Sequence, residues 1–335
     1  MPAPQAPREA VEALEAQARA QEADGNRVGL VETLAQLATI LREGPDEALA
    51  RSALEQAYRV AGTIADEPGM APALHRLGFL YYLQGGWDRA LELYHRALAL
   101  HGQAGDRVGT AITLGAIAEA FQGKGAFRKA LETYEESLAL KTELRDERGL
   151  TLTWNNIGTV KARMGDVSGA LEAFTKSLQM QERLGDTLGR AVTLANIGGL
   201  HLRRENWSEA LGALEQALAL YERAEDPTGV AVTLNSLGLV QRRLGDLEGA
   251  YQRYATARRL IEASGDLLRA TIPAHNMALI HEARGEYREA LRLMEEVVAI
   301  DKRIGHPDLR RDLEAFGRIR EKLDRQRDST RSPSD

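Results

Sequence analysis

Apolar residues recur at three- and four-residue intervals along most of the chain, in paired stretches separated by short polar breaks. In residues 147–185, the first stretch places Leu150, Trp154 and Ile157 on one side of a helix. Gly165 then interrupts the pattern. A second stretch with the same spacing follows: Val167, Ala170, Leu171, Phe174 and Leu178. The pattern predicts two amphipathic helices joined by a tight turn.

This two-helix pattern returns at a fixed step of 40 residues. Glycine holds one position in Gly78, Gly158, Gly198 and Gly238. Alanine holds another without a break: Ala50, Ala90, Ala130, Ala170, Ala210, Ala250 and Ala290. Residues 26–305 therefore comprise seven units of 40 residues. Repeats of about 20–50 residues are typical of arrays in which each unit packs only on its neighbours.

The flanking segments predict how the array ends. Residues 7–24 match the second helix of a unit, and residues 307–325 begin like a first helix, so we expect both to cap the array. Residues 1–6 and 326–335 are polar and are predicted to be disordered. The fold class is predicted to be all-α, with sixteen helices and no strand in one domain over residues 7–325.

Aspartate recurs where one unit meets the next. The series is Asp66, Asp106, Asp146, Asp186, Asp226 and Asp266. Asp is a strong helix N-cap, because its side chain accepts a hydrogen bond from one of the unpaired N–H groups of the first turn. We interpret the series as helix caps rather than as metal ligands or catalytic acids.

Small and aromatic residues stand at fixed offsets within each unit. One unit reads Trp154-x2-Ile157-Gly158, followed by Ala170-x3-Phe174. This resembles the tetratricopeptide repeat, W-x2-L-G-x2-Y … A-x3-F, which usually spans about 34 residues. The longer step resembles the variants in kinesin light chains and spindle adaptors, and similar arrays occur as sensor regions of bacterial regulators. The resemblance implies a right-handed α-solenoid whose first helices line a concave, protein-binding groove.

Charge and composition exclude several functions. Lys and Arg number 43 against 49 Asp and Glu, so the net charge is −6, which argues against a nucleic-acid partner. The absence of Cys excludes disulfides and thiolate zinc sites. No apolar run is long enough for a membrane span, and the N-terminus lacks a signal-peptide pattern. We therefore expect a cytoplasmic protein with no membrane partner.

Enzyme motifs are incomplete in this sequence. Gly123-Lys124 lacks the upstream Gly and the downstream Ser or Thr of a phosphate-binding loop. His281-Glu282 lacks the second His of a zinc-binding helix. We predict no catalysis, no cofactor and no metal site.

Polar side chains occupy two further positions on the first helices, where the family resemblance implies a groove. Two residues before the small Gly, the series reads Arg76, Ala116, Asn156, Asn196, Ser236 and Asn276. Seven residues later it reads Leu83, Gly123, Arg163, Arg203, Arg243 and Ala283. Asn can donate to and accept from a peptide backbone, and Arg can bind a carboxylate through two bonds. One position earlier, the residues predicted to extend the rim are Asn155, Asn235 and His275.

The predicted function is a non-catalytic scaffold that binds an extended, acidic segment of a partner protein in the groove. The Asn and Arg side chains have a structural alternative, in which they bond only to neighbouring helices. Two other functions stay open: a solenoid that assembles with itself or with a larger complex, forming a homo-oligomer, and a sensor for a short peptide or small molecule. The sequence argues against chaperone-tail binding, since Leu152 and Val192, or Asn155 and Ala195, stand where that family class has cations.

Overall fold

The computed structural model describes residues 5–42, 47–64 and 70–331, which form sixteen α-helices and no strand. In chain order the helices are α1 (Gln5–Ala23), α2 (Arg27–Arg42), α3 (Glu47–Gly62), α4 (Ala71–Leu83), α5 (Trp87–Ala104), α6 (Arg107–Gly123), α7 (Phe127–Glu143), α8 (Glu147–Met164), α9 (Val167–Leu184), α10 (Thr187–Arg203), α11 (Trp207–Arg223), α12 (Pro227–Arg243), α13 (Leu247–Ala263), α14 (Leu267–Ala283), α15 (Tyr287–Ile304) and α16 (Leu309–Arg331). The predicted all-α fold class is confirmed.

Contacts group the chain into two compact units, Met1–Ser177 (unit 1) and Leu178–Asp335 (unit 2). Within unit 1, α2 packs on α3, α4 on α5 and α6 on α7. Within unit 2, α10 packs on α11, α12 on α13 and α14 on α15, and α16 covers α15. We call the even-numbered member of each pair the first helix and its partner the second helix. The single domain over residues 7–325 stays a prediction.

The repeated Gly lets the two helices of a pair approach closely. A Cβ atom at Gly158 would fall 2.6 Å from a ring carbon of Phe174, and one at Gly238 would fall 2.7 Å from a ring carbon of Tyr254. The repeated Ala is fully buried on the second helix, as at Ala250. Gly198 is approached in the same way by the Leu214 side chain, at 2.6 Å, so the small residue recurs with a bulky side chain on the second helix.

Aspartate caps the first helices, as predicted. The carboxylate accepts a hydrogen bond from the backbone N–H three residues later, at 2.8–3.1 Å, in Asp106, Asp146, Asp186, Asp226 and Asp266. Each cap satisfies an N–H group that has no partner within the helix. Asp66 lies outside the described residues.

The terminal helices differ in extent from the prediction. Helix α1 begins at Gln5, and α16 continues to Arg331, so residues 326–331 are helical although their composition predicted disorder. Long charged side chains have high helix propensity, and Arg325 forms an i,i+4 pair with Glu321 at 3.8 Å. Residues 1–4 and 332–335 lie outside the described part of the chain.

Candidate functional site

The predicted ligand-binding residues of unit 2 lie in rows across its first helices. Residues four and eleven positions apart share one side of a helix. Helices α10 and α12 therefore contribute to all three rows, and α14 contributes to the first two. We call this surface the unit 2 face. It consists of an apolar row (Val192, Val232, Ile272), a polar row (Asn196, Ser236, Asn276) and an arginine row (Arg203, Arg243).

The apolar row is exposed, although its residues are large and branched. Val232 is 53% exposed, Ile272 is 47% exposed, and Val192 is exposed as well. Scattered apolar residues are common on protein surfaces, but these three recur at the 40-residue step and lie one turn before the polar row. The row is therefore a regular apolar strip on the exposed side of α10, α12 and α14.

The polar row is half-buried and takes part in local hydrogen bonds. The Asn276 side-chain N–H donates to Oδ1 of Asn235 at 3.1 Å, which joins α14 to α12. The Ser236 hydroxyl donates to the carbonyl of Val232 within the same helix at 3.1 Å. Asn196 also has an interaction of its own. These side chains thus have structural bonds, and an amide with one bond made still has donor and acceptor capacity.

The arginine row differs from the arginines that hold the fold together. Arg258 contacts the carboxylates of both Glu262 and Glu296. Arg203 and Arg243 are exposed, and neither forms an ion pair with a carboxylate among the described residues. The guanidinium of Arg243 lies 5.8 Å from the ring centroid of Trp207, which orients it without neutralising its charge. The row thus carries positive charge that no described carboxylate pairs with directly.

Unit 1 repeats this arrangement only in part. On α8, Leu152 is 62% exposed and Arg163 is exposed, in the positions of the apolar and arginine rows. Between them, Asn156 donates to Oε1 of Glu119 on α6 at 3.1 Å. Burial raises the pKa of Glu119, whereas the hydrogen bond from Asn156 and the charge of Lys141 act in the opposite direction. Asn156 therefore supports a half-buried carboxyl group.

The structure places the three predicted rim residues differently from one another. Asn235 is half-buried and bonds to Asn276, and Asn155 is half-buried with an interaction of its own. His275 is 9% exposed, and its Nδ1 lies 2.7 Å from Oδ1 of the buried Asp312. Burial lowers the pKa of His275, against the opposite effect of Asp312. His275 thus packs between α14 and α16, away from the exposed rows.

Two kinds of feature are absent from the described ranges, a metal-binding cluster and a membrane-spanning helix. No group of three or more acidic or His side chains there is arranged to hold a metal ion. No helix in those ranges is long and apolar enough to cross a membrane.

The repeats match a known family. The model of the tetratricopeptide repeat matches residues 69–143, 150–223 and 229–303, which is more than half of the chain. The chain belongs to the tetratricopeptide repeat family. This confirms the family that the spacing of Trp154, Gly158 and Phe174 predicted.

Other tetratricopeptide repeat structures share this fold at low sequence identity. A Rap protein complexed with Competence and Sporulation Factor is 14% identical, with a TM-score of 0.60 over 96% of this chain and 97% of that chain. A signal transduction ATPase with a tetratricopeptide repeat sensor, from Pyrococcus horikoshii, is 13% identical, with a TM-score of 0.65 over 93% of this chain and 49% of that chain. No curated protein sequence matched significantly.

In this tetratricopeptide repeat protein, the polar and arginine rows as binding residues stay a prediction, and the sequence analysis did not predict the apolar row. The sequence signal for the apolar row is periodic. An aliphatic residue recurs four positions before each polar position, as Leu152, Val192, Val232 and Ile272. Glu119 was missed as well. It has no counterpart of the same type in the other repeats, so no periodicity indicates that it pairs with Asn156.

Proposed function

We propose that this protein is a non-catalytic scaffold that binds an extended, acidic segment of a partner protein along the unit 2 face. The observation that carries the proposal is the arginine row, in which Arg203 and Arg243 are exposed and lack ion pairs with described carboxylates. An Arg side chain can bind a carboxylate through two parallel hydrogen bonds. Acidic side chains of a bound segment would supply the missing partners.

The polar row supports an extended backbone as the ligand. Packed helices lie about 8–10 Å apart, and three residues of an extended chain cover about the same distance. One Asn or Ser side chain per helix can therefore contact every third peptide group of a segment that crosses the helices. Amide side chains both donate and accept, as a peptide group requires.

The apolar row supports a segment that also carries apolar side chains. Val192 and Val232 lie eleven residues before Arg203 and Arg243, which corresponds to about 16 Å along a helix axis. A segment lying over the polar row would thus have apolar contacts on one side and positive charge on the other. In unit 1, Leu152 and Arg163 have the same roles in the proposal, whereas Asn156 is engaged by Glu119.

The similar structures are consistent with a binding role. A Rap protein of this fold was solved in a complex with Competence and Sporulation Factor, so the fold accommodates a bound factor in that protein. At 14% identity the likeness concerns the fold. The choice of an acidic segment for this chain rests on its own arginine row.

A peptide selection tests the proposal directly. A displayed library of random linear peptides is selected on the full chain, and the selected peptides are synthesised with a fluorescent label. We expect acidic sequences whose affinity, measured by anisotropy, falls at least about tenfold in Arg203→Glu/Arg243→Glu, since hydrogen bonds to charged groups contribute about 1.5–3 kcal/mol each. The affinity should also fall with salt.

A matched control separates site loss from a change in net charge. Arg259 and Arg288 are exposed arginines on second helices of unit 2, and neither has an ion pair with a described residue. Arg259→Glu/Arg288→Glu makes the same charge change away from the unit 2 face. Equal weakening by both double variants, or selected peptides without acidic residues, would contradict the proposal. A mass that rises with concentration would instead support self-assembly.

A further inference from the structure

Unit 2 contains an apolar cavity that opens beside the unit 2 face. Its volume is about 250 Å³, and it lies between the first halves of α12 and α14 and the end of α13. Its walls include Val232, Leu260, Ile261 and Ile272. Cofactors and drug-sized ligands occupy pockets of about 300–1,000 Å³, so this cavity suits a smaller group, such as one large side chain. We call it the α14 pocket.

A proline in the wall of the α14 pocket breaks the repeat pattern. At the same repeat position, Thr153 and Thr193 donate their hydroxyls to the carbonyl four residues earlier, at 2.8 and 3.1 Å. In α14 this position is Pro273, which has neither a hydroxyl nor a backbone N–H. The carbonyl of Arg269 therefore lacks both donors that the carbonyls of Gly149 and Gly189 have. In α12 the hydroxyl of Thr233 has no such bond to a described residue. Arg269 and Pro273 both line the pocket.

The polar lining of the α14 pocket includes one asparagine amide. Asn235 lines the pocket, and its Oδ1 accepts the hydrogen bond from Asn276. This bond uses the acceptor of Asn235 and one donor of Asn276, so the side-chain N–H groups of Asn235 keep their donor capacity. A carbonyl acceptor and an amide donor at one pocket complement the N–H and C=O of a peptide group.

We infer that the α14 pocket anchors one large apolar side chain of a bound polypeptide, leucine-like in size, whose backbone N–H donates to the carbonyl of Arg269. Val232 and Ile272 belong to both the pocket and the apolar row, so the pocket is continuous with the proposed binding face. The polypeptide nature of the ligand rests on the proposed function. The pocket adds an anchor position, which periodicity does not provide because Pro273 occurs in one repeat.

Small peptide-like probes test the pocket without an identified partner. The full chain carries ¹³C-labelled Ile, Leu and Val methyl groups, and the probe is N-acetyl-leucine N′-methylamide. We expect saturable shifts of the methyl signals of Val232, Ile261 and Ile272. The alanine analogue should bind at least about tenfold more weakly because it buries less apolar surface. The Nα-methyl leucine analogue should bind about fivefold more weakly because it lacks the N–H donor.

Two variants assign these effects to the pocket. Ile272→Glu should abolish the shifts, while the matched Ile112→Glu, at an exposed position of the same type in unit 1, should leave them unchanged. Pro273→Thr restores both donors to the carbonyl of Arg269, so it should remove the preference for the N–H probe while keeping the apolar walls. Equal binding of the N–H and Nα-methyl probes to the wild type, or shifts that survive Ile272→Glu, would overturn the inference.

The outcomes also separate this inference from the proposed function. If acidic peptides depend on Arg203 and Arg243 but are unaffected by Ile272→Glu, the binding face stands and the anchor is wrong. If no acidic peptide binds and the leucine probe still saturates the pocket with the expected preferences, the pocket stands and the proposed function is wrong.

Discussion

Lys141 in unit 1 and Asp301 in unit 2 occupy the same repeat position, four repeats apart. Both side chains are buried, Lys141 with 8% and Asp301 with 0% of its surface exposed. Nζ of Lys141 donates to Oγ1 of Thr153 at 2.8 Å. Neither carboxylate oxygen of Asp301 accepts a hydrogen bond from a described residue. Burial at this position thus follows from the repeat. The hydrogen-bond partner of a charged side chain at this position does not.

Burial shifts both groups toward their neutral forms. It lowers the pKa of Lys141, against the charges of Asp146 and Glu119. Burial, and then the neighbouring Asp312, raises the pKa of Asp301 to about 6. One backbone position therefore places an ammonium beside a hydroxyl in unit 1 and a carboxyl beside a second carboxyl in unit 2. The two units share their packing and differ in the chemistry of their polar positions.

The shared packing gives the largest expected effect. Gly158→Val and Gly238→Val should each lower the free energy of unfolding by about 3 kcal/mol, because the added atoms overlap the ring packed on each Gly. Urea unfolding of the variants measures the loss. Gly199→Val is the control, since a Cβ there meets only the Arg203 side chain, at 4.0 Å.

Equal losses at Gly158 and Gly238, with less than about 1 kcal/mol at Gly199, would support identical packing of the repeat in both units. A large loss at Gly199, or a negligible one at either buried position, would show that the close approach of Gly to a bulky side chain does not define the repeat.

The distinction between shared packing and differing polar contacts also explains which features the sequence predicts well. Helix number, family and caps follow from residues whose role is local or periodic, such as Gly158 with Phe174 and the Asp146 cap. The polar contacts of the site are not periodic. Asn156 bonds to Glu119, whereas Asn276 bonds to another Asn, and each choice depends on which side chain the adjacent first helix presents. Such pairs require the three-dimensional arrangement.

The buried carboxyl group of Asp301 in unit 2 gives the second-largest expected effect on the free energy of unfolding. The pKa of Asp301 in the folded protein lies above its ordinary value of 3.8, so the folded state binds the proton more tightly. The resulting stability is present at low pH and is lost as pH rises through about 6. Asp301→Asn mimics the protonated form, so it should raise the free energy of unfolding by about 1–2 kcal/mol at a pH of about 7.5.

The gain from Asp301→Asn should shrink steadily as the pH is lowered toward about 4, where the wild-type carboxyl is protonated. Chemical denaturation at a series of pH values measures it. Lys141→Gln, at the same repeat position of unit 1, should show no gain at neutral pH, because its ammonium already donates to Thr153. A gain that does not depend on pH would point to a packing effect and would contradict the role of the Asp301 charge.

The smallest expected effect on stability distinguishes the Asn156–Glu119 pair from the Asn276–Asn235 pair. Asn156→Ala removes the hydrogen bond to the carboxyl of Glu119, and we expect a loss of about 1 kcal/mol at neutral pH. Asn276→Ala removes a bond between neutral amides, so it should cost about half as much and should not vary between pH 4 and pH 7. Because the bond from Asn156 lowers the pKa of Glu119, its loss should cost less as that carboxyl becomes protonated. Parallel pH profiles for the two variants would mean that Glu119 is protonated at neutral pH, and the polar positions of the two units would then carry the same charge.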